Sequence, residues 1–195
     1  MAYINLVPED KATGEVSRMY EEDRKRRGYV PNYAKIFSLR PAVKFAWNAL
    51  LGSIRKEMDE RRFELVTVAA ARGLRSSYCM LAHGAVLRNK FYNDAQVVSI
   101  AKDFRAADLT PAEVAMMAFA EKVVRDATTV TQSDIDGLRK HGFTDAEIFD
   151  ITATATSRSF FSKTLDALGA EPDPAYMELQ APVRIALTVG RPMKV

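Results

Sequence analysis

Almost every segment of this 195-residue chain reads as helix, with helix end signals between the segments. Thr13 stands where a cap would open a helix to about Arg27, with Val16, Met19 and Tyr20 on its inner face. Gly28 ends that helix in the left-handed conformation that glycine tolerates. Residues 1–9 before it read as an extended arm stopping at Pro8, and a short helical turn over 32–38 follows Pro31. Pro41 occupies a first helical position, where a missing N–H is harmless, and opens a helix through Phe45, Trp47, Leu50, Leu51 and Ile54. A charged run over 56–62 leads to helices expected over 60–73, 77–90, 93–104, 111–126, 132–141 and 144–168. The tail from Pro172 is interrupted by Pro174, Pro182 and Pro192, and 183–189 reads as extended, lying along the body or on a neighbouring subunit. The fold class is all-α: a helical domain over 1–174 with its core at 60–90, and a C-terminal arm over 175–195.

Composition narrows the function. The net charge of +3 is the small difference between 28 basic and 25 acidic residues. The most basic run, Arg24-Lys25-Arg26-Arg27, follows Glu21-Glu22-Asp23, which offsets it, so no nucleic-acid partner is expected. Residues 134–141 and the helix from Thr144 imitate a helix-turn-helix. The second helix carries Ile148, Phe149, Ile151, Ala153 and Ala155 and no basic reading face, so an αα-hairpin is expected. A single cysteine excludes an intrachain disulfide and fits a reducing, cytoplasmic setting. The N-terminus lacks a basic, apolar signal segment, and no run of about eighteen apolar residues exists to span a membrane. There is a faint echo: Glu64-Leu-Val-Thr-Val-Ala-Ala-Ala resembles Glu113-Val-Ala-Met-Met-Ala-Phe-Ala, 49 positions on, but no Cys or His follows the second copy.

The chemistry therefore concentrates in Glu64, Ser76, Cys79 and His83. Cys79 and His83 are four apart on one helix and so share a face. A lone cysteine is commonly a core residue. Here, however, Gly73-Leu74-Arg75 reads as the interhelix turn and Ser76 as the cap, which puts Cys79 in the first turn, where amides and helix dipole favour a thiolate. His83 is then placed to take the thiol proton directly or through a water. Glu64 opens an apolar segment, Leu65, Val66, Val68 and Ala69; it is either a first-turn surface residue or a buried carboxylate that needs a partner. Capping alone accounts for Ser76, and His141 before Gly142 reads as a last-turn residue favouring the dipole. One Cys, one His and one Glu make a poor metal set, and neither a Gly-rich phosphate loop nor a GxSxG elbow is present, so no metal and no cofactor are expected.

Glu64 and the run Ser76-Ser-Tyr-Cys79-Met-Leu-Ala-His83-Gly resemble the signature of the carboxymuconolactone decarboxylase and alkylhydroperoxidase D-like superfamily, a Glu followed twelve positions on by Cys-x-x-Cys-x-x-x-His. Asn5-Leu-Val-Pro-Glu-Asp, Arg27-Gly-Tyr-Val-Pro-Asn32, Phe119-Ala-Glu-Lys-Val-Val-Arg-Asp126 and Leu168-Gly-Ala-Glu-Pro-Asp-Pro174 are similar to its uncharacterised peroxidase-related subgroup, so the resemblance covers most of residues 3–174. It implies an alkylhydroperoxidase D-like multi-helix bundle and a homo-oligomer, from dimer or trimer to hexamer. It also implies Cys79 as the thiolate attacking peroxide and His83 and Glu64 as its proton relay. The family's first cysteine is replaced by Ser76, whose hydroxyl cannot form a disulfide, so a sulfenate on Cys79 needs an outside thiol or Cys79 of another subunit.

Three readings follow. One is a peroxidase-related thiol oxidoreductase with a thiol reductant and a depressed Cys79 pKa. The second is a non-redox enzyme in which His83 and Glu64 move protons on a small organic acid or lactone. The third is a catalytically silent oligomeric binding protein with an ordinary thiol.

Overall fold

A helix buried on every side has to be built from apolar and small residues, and one segment of this chain meets that demand. The computed structural model describes residues 2–193; Met1 at the start of the N-terminal arm, and Lys194 and Val195 at the end of the C-terminal arm, lie outside the described residues. In α4 (Glu60–Gly73), all nine residues from Phe63 to Ala71 are buried, and Ala69, Ala70 and Ala71 let neighbouring helices approach closely. Its neighbours are α5 (Ser77–Lys90), α7 (Pro111–Asp126) and α9 (Asp145–Ala167). Around this centre run α1 (Gly14–Arg27), α2 (Asn32–Ile36), α3 (Pro41–Lys56), α6 (Asp94–Asp103), α8 (Gln132–Lys140) and α10 (Ala181–Leu187). The described residues contain no strand, and none of their helices is long and apolar enough to cross a membrane.

The punctuation explains the boundaries. Reciprocal capping boxes open α6 (Asn93 with Gln96), α7 (Thr110 with Glu113) and α9 (Thr144 with Glu147). Asp59 caps α4, and Gly28 closes α1 at φ 83°. At the α4–α5 turn the left-handed residue is Arg75 (φ 56°), while Gly73 serves close packing: a Cβ there would lie 2.8 Å from Val124 of α7. The echoing segments, in α4 and α7, pack against each other.

Three expectations change. Thr13 has a cap's extended backbone but makes no side-chain capping bond. The inward residues of α3 are Lys44 and Trp47, while Leu50 is largely exposed. The cause is long-range: Lys44 Nζ lies 2.8 Å from Asp23 Oδ2 of α1, with both side chains buried. The other Asp23 oxygen accepts from Tyr33 Oη at 2.9 Å and pairs with Arg26. Third, the segment expected to be extended over 183–189 begins as helix. Pro182 sits in the first turn of α10, where proline starts a helix instead of breaking one, and Val183 and Leu187 bury one face against α5 and α6 of the same chain. Leu187 fills the place of the missing side chain at Gly84. The N-terminal arm is tied down too, with Tyr3 N–H on the Leu168 carbonyl at 2.9 Å and Val7 N–H on Ser38 at 3.0 Å.

Removing one partner from a buried ion pair strands the other charge. Asp23→Asn is therefore expected to lower the unfolding free energy by about 3–5 kcal/mol, read from urea denaturation. A loss under about 1 kcal/mol would mean that the pair behaves as a solvated one.

Candidate active site

Glu64 lies inside the first turns of α4, where its 2% exposure leaves the carboxylate dependent on partners. It finds His83 of α5: Nδ1 and Oε2 are 2.6 Å apart. Arg55 Nη2 is 3.9 Å from the other oxygen. On the far side of the imidazole, Arg158 of α9 reaches Nε2 with Nη1 at 3.0 Å. A guanidinium only donates, so Nε2 must accept, and the ring proton sits on Nδ1 and is donated to Glu64. His83 is thus a neutral base oriented by a carboxylate. Burial pulls its pKa below the ordinary value, against the opposing pull of Glu64. Burial acts to raise the Glu64 pKa, but His83, Arg55 and Arg158 together hold it below the usual carboxylate range.

One helical turn back from His83, Cys79 is 1% exposed and accepts a hydrogen bond from Ser162 Oγ at 3.1 Å. Ser162 lies one turn beyond Arg158. Two turns of α5 therefore face two turns of α9 in antiparallel register, Cys79 against Ser162 and His83 against Arg158. This corrects two sequence expectations. Both His83 ring nitrogens are engaged elsewhere, so its proton-accepting edge points at Arg158. The thiol pKa is also not depressed: complete burial pushes it up, and Arg158, Ser162 and Ser76 only partly oppose that. The helix-terminal effect on Cys79 is real in position but smaller than desolvation.

Ser76 holds the N-cap position with extended backbone, yet its hydroxyl makes no capping bond and is buried without a well-formed hydrogen bond. It lies near Cys79 and Asp166, where it helps lower both pKa values. The structure thus brings Glu64, Cys79, His83 and Ser76 together and adds Arg158 and Ser162. The signal for the added pair was an arginine four residues before a serine on an otherwise small and apolar helix. His141 forms the C-cap of α8, remote from these groups.

Arg158 is 1% exposed, and its Nε and Nη2 have no hydrogen-bond partner. Its guanidinium stacks 4.9 Å above Trp47 and 5.4 Å from the Phe161 ring. Burial lowers its pKa, and Cys79 and Glu64 oppose that shift. Cys79, His83 and Arg158 share one cavity of about 150 Å³ walled by Tyr33, Trp47 and Tyr78. Three roomier clefts, about 580 Å³ beside His141, about 500 Å³ beside Asp173 and about 240 Å³ beside Tyr92, contain none of the three. A cation bound at Nε2 would have to displace a guanidinium, and no cluster of three His, Cys, Asp or Glu among the described residues is arranged to hold a metal.

Residues 41–122 match the carboxymuconolactone decarboxylase family. The matched segment contains Glu64, Ser76, Cys79 and His83 but stops before Arg158 and Ser162. No functionally curated protein matches the sequence. Among solved structures, the chain is similar to an uncharacterised peroxidase-related protein with an alkylhydroperoxidase D core from Ralstonia eutropha JMP134, at 23% identity and TM-score 0.81, covering 97% of this chain and 98% of that one. It is also similar to an uncharacterised peroxidase-related protein from Silicibacter sp. TM1040, at 22% identity and TM-score 0.76 over 90% and 91% of the two chains. A third similar structure is the debrominase Bmp8 in complex with 2,3,4-tribromopyrrole, at 15% identity and TM-score 0.76 over 95% and 100%. With the motif residues inside the matched segment and nearly the whole chain on the shared all-helical fold, this protein carries a carboxymuconolactone decarboxylase family segment over residues 41–122 within an alkylhydroperoxidase D-like fold.

Proposed function

We propose that this protein is a thiol oxidoreductase that reduces small organic hydroperoxides, with Cys79 as the oxidised group. The observation that carries the proposal is a nucleophile, a neutral base and an unpaired cation in one cavity: Cys79, His83 held by Glu64, and Arg158 with one free edge. In this reading substrate entry draws Arg158 Nη1 off His83 Nε2, the thiol proton passes to the freed nitrogen, and the sulfur attacks the terminal oxygen of R–O–O–H. The O–O bond breaks, sulfur is oxidised by two electrons to sulfenic acid, and the hydroperoxide is reduced to its alcohol. The leaving alkoxide develops its charge beside the free Nε and Nη2 of Arg158 and recovers the proton from His83. A low-dielectric site makes such a preorganised cation effective.

Turnover requires a second step. An external thiol R′SH condenses with the sulfenic acid, releasing water and leaving a Cys79–S–S–R′ mixed disulfide, and a second thiol reduces it. Ser76 cannot substitute for that thiol. Two copies of a sulfur as deeply buried as Cys79 cannot meet across an interface, so the resolver is a small thiol that enters the cavity.

Sulfenic-acid formation tests the reading directly. Reduced protein treated with stoichiometric alkyl hydroperoxide, followed by intact mass and dimedone trapping, is expected to label once, at Cys79. His83→Ala is expected to slow labelling by about 10²–10⁴-fold, the usual contribution of a positioned base. Labelling at the rate of a free cysteine, indifferent to His83, would reject this reading in favour of proton transfer on a small organic acid or lactone. There, activity would survive Cys79→Ser.

The pH profile has a defined sign. Burial draws the His83 pKa below the ordinary histidine range, so it stays a neutral, competent base through neutral pH. The wild-type labelling rate is expected to hold level through neutral pH and to fall only in acid. In His83→Ala the rate should follow the thiolate fraction, and because burial raises the Cys79 pKa above that of an ordinary thiol it should still be climbing in the alkaline range.

A further inference from the structure

The cavity above Cys79 carries information about its ligand that the motif residues do not. Four of its lining residues are arginines, Arg26, Arg27, Arg55 and Arg158, and none is Asp or Glu. Three of the four have assigned work. Arg26 pairs with buried Asp23 and lies 3.1 Å from Tyr33 Oη. Arg55 pairs with Glu60 at 2.7 Å. Arg158 faces His83 and the sulfur. Arg27 is the exception: among the described residues no carboxylate lies within ion-pair distance of it. Its guanidinium is held over the Tyr33 ring at 5.6 Å, on an exposed residue that lines the cavity.

The walls are flat and largely aromatic. Trp47 stacks on Phe161 with ring centres 4.2 Å apart, and Tyr33 meets Phe161 edge-on at 5.5 Å. Two wall phenols are already committed, Tyr33 Oη to Asp23 at 2.9 Å and Tyr78 Oη to Asp173 at 2.7 Å. The Asn48 amide and the Tyr176 hydroxyl also line the cavity and can meet a ligand's polar group, so what sets this lining apart is its sign: four arginines and no carboxylate. A space of about 150 Å³ with aromatic walls admits a single ring. The excess positive charge of its lining selects the ligand's sign.

We propose that this cavity selects a one-ring organic anion, its ring between the aromatic walls and its acid group on Arg27. The assignment rests on the cavity being the substrate site, as argued above, and it names the substrate class: hydroperoxides of small cyclic or aromatic acids. Arg158 stays free for the sulfur and the leaving oxygen, so the two cations divide the work, one for recognition and one for reaction.

The test needs no turnover and no oxidant. Calorimetric titration of the reduced full-length protein with benzoate, benzamide and acetate separates charge from ring. Benzoate is expected to bind at least tenfold more tightly than either of the others. Arg27→Gln is expected to bring benzoate to the level of benzamide while leaving the unfolding midpoint unchanged. Equal binding of benzoate and benzamide, binding by none of the three, or indifference to Arg27→Gln overturns the proposal; acetate binding as well as benzoate overturns the ring. Because peroxide is absent, failure here leaves sulfenic-acid formation at Cys79 untouched. Discrimination of benzoate without any Cys79 oxidation would support the anion site and reject only the redox chemistry.

Discussion

A guanidinium buried among aromatic rings organises this site. Arg158 carries its charge at 1% exposure, which is tolerable only where the surroundings answer it. Trp47 and Phe161 answer with their faces, His83 with a lone pair, and Glu64 from behind the imidazole. Each of those answers constrains a neighbour. Because Arg158 must donate, the tautomer of His83 is settled; because that tautomer places a proton on Nδ1, Glu64 has to be an ionised acceptor. The buried carboxylate and the buried cation thus depend on each other through a neutral ring, a chain whose members lose their reason for being buried if one is removed.

The same logic recurs in the scaffold. Glu121 of α7, also buried, collects Arg72 from α4 at 2.5 Å, Arg125 at 2.9 Å and Arg105 at 2.8 Å. Asp173, after α9, accepts from Tyr78 Oη, from Asn32 N–H at 2.7 Å and from Tyr29 Oη at 3.3 Å. Tyr78 is the immediate neighbour of Cys79, so the segment after α9 helps fix the start of α5. Apolar packing alone leaves helices free to slide or rotate by small amounts, whereas a buried charge has to meet its partner. The polar clusters therefore set register, and the alanine-rich α4 sets distance.

Much of this was legible from the sequence, and the failures have a common cause. Caps and breakers act within a few residues, so Thr144, Gly28 and Pro41 announced their helix boundaries correctly. The partnership of Glu64 and His83 was expected from the family resemblance, whereas the residues alone left Glu64 either at the surface or buried with an unnamed partner. Lys44 was missed as an inward residue because its reason, Asp23, lies on another helix. Arg158 was missed for the same reason, being 75 positions from the imidazole that it touches. The Cys79 reading failed differently. Its local argument was sound, but the helix terminus acts on a thiol sealed from water, and desolvation outweighs it. Pro182 misled because a proline reads as a break when only seven residues of helix follow the cap.

Burial of the sulfur then limits what chemistry can follow. An exposed low-pKa thiolate reacts with many oxidants and with other proteins. Cys79 is instead a thiol whose ionisation is disfavoured by its surroundings and restored only by groups lining the same cavity. In the proposed function such a group reacts with what fits the cavity and aligns with His83 and Arg158, so selectivity would come from access and proton transfer more than from intrinsic reactivity. Replacing the neighbouring motif cysteine by Ser76 moves in the same direction: it removes the internal disulfide and requires any resolving thiol to enter the arginine-lined cavity. A reductant that carries its own carboxylate would meet there the same unpaired Arg27 as the substrate, which makes that residue a shared recognition point for both halves of the proposed cycle.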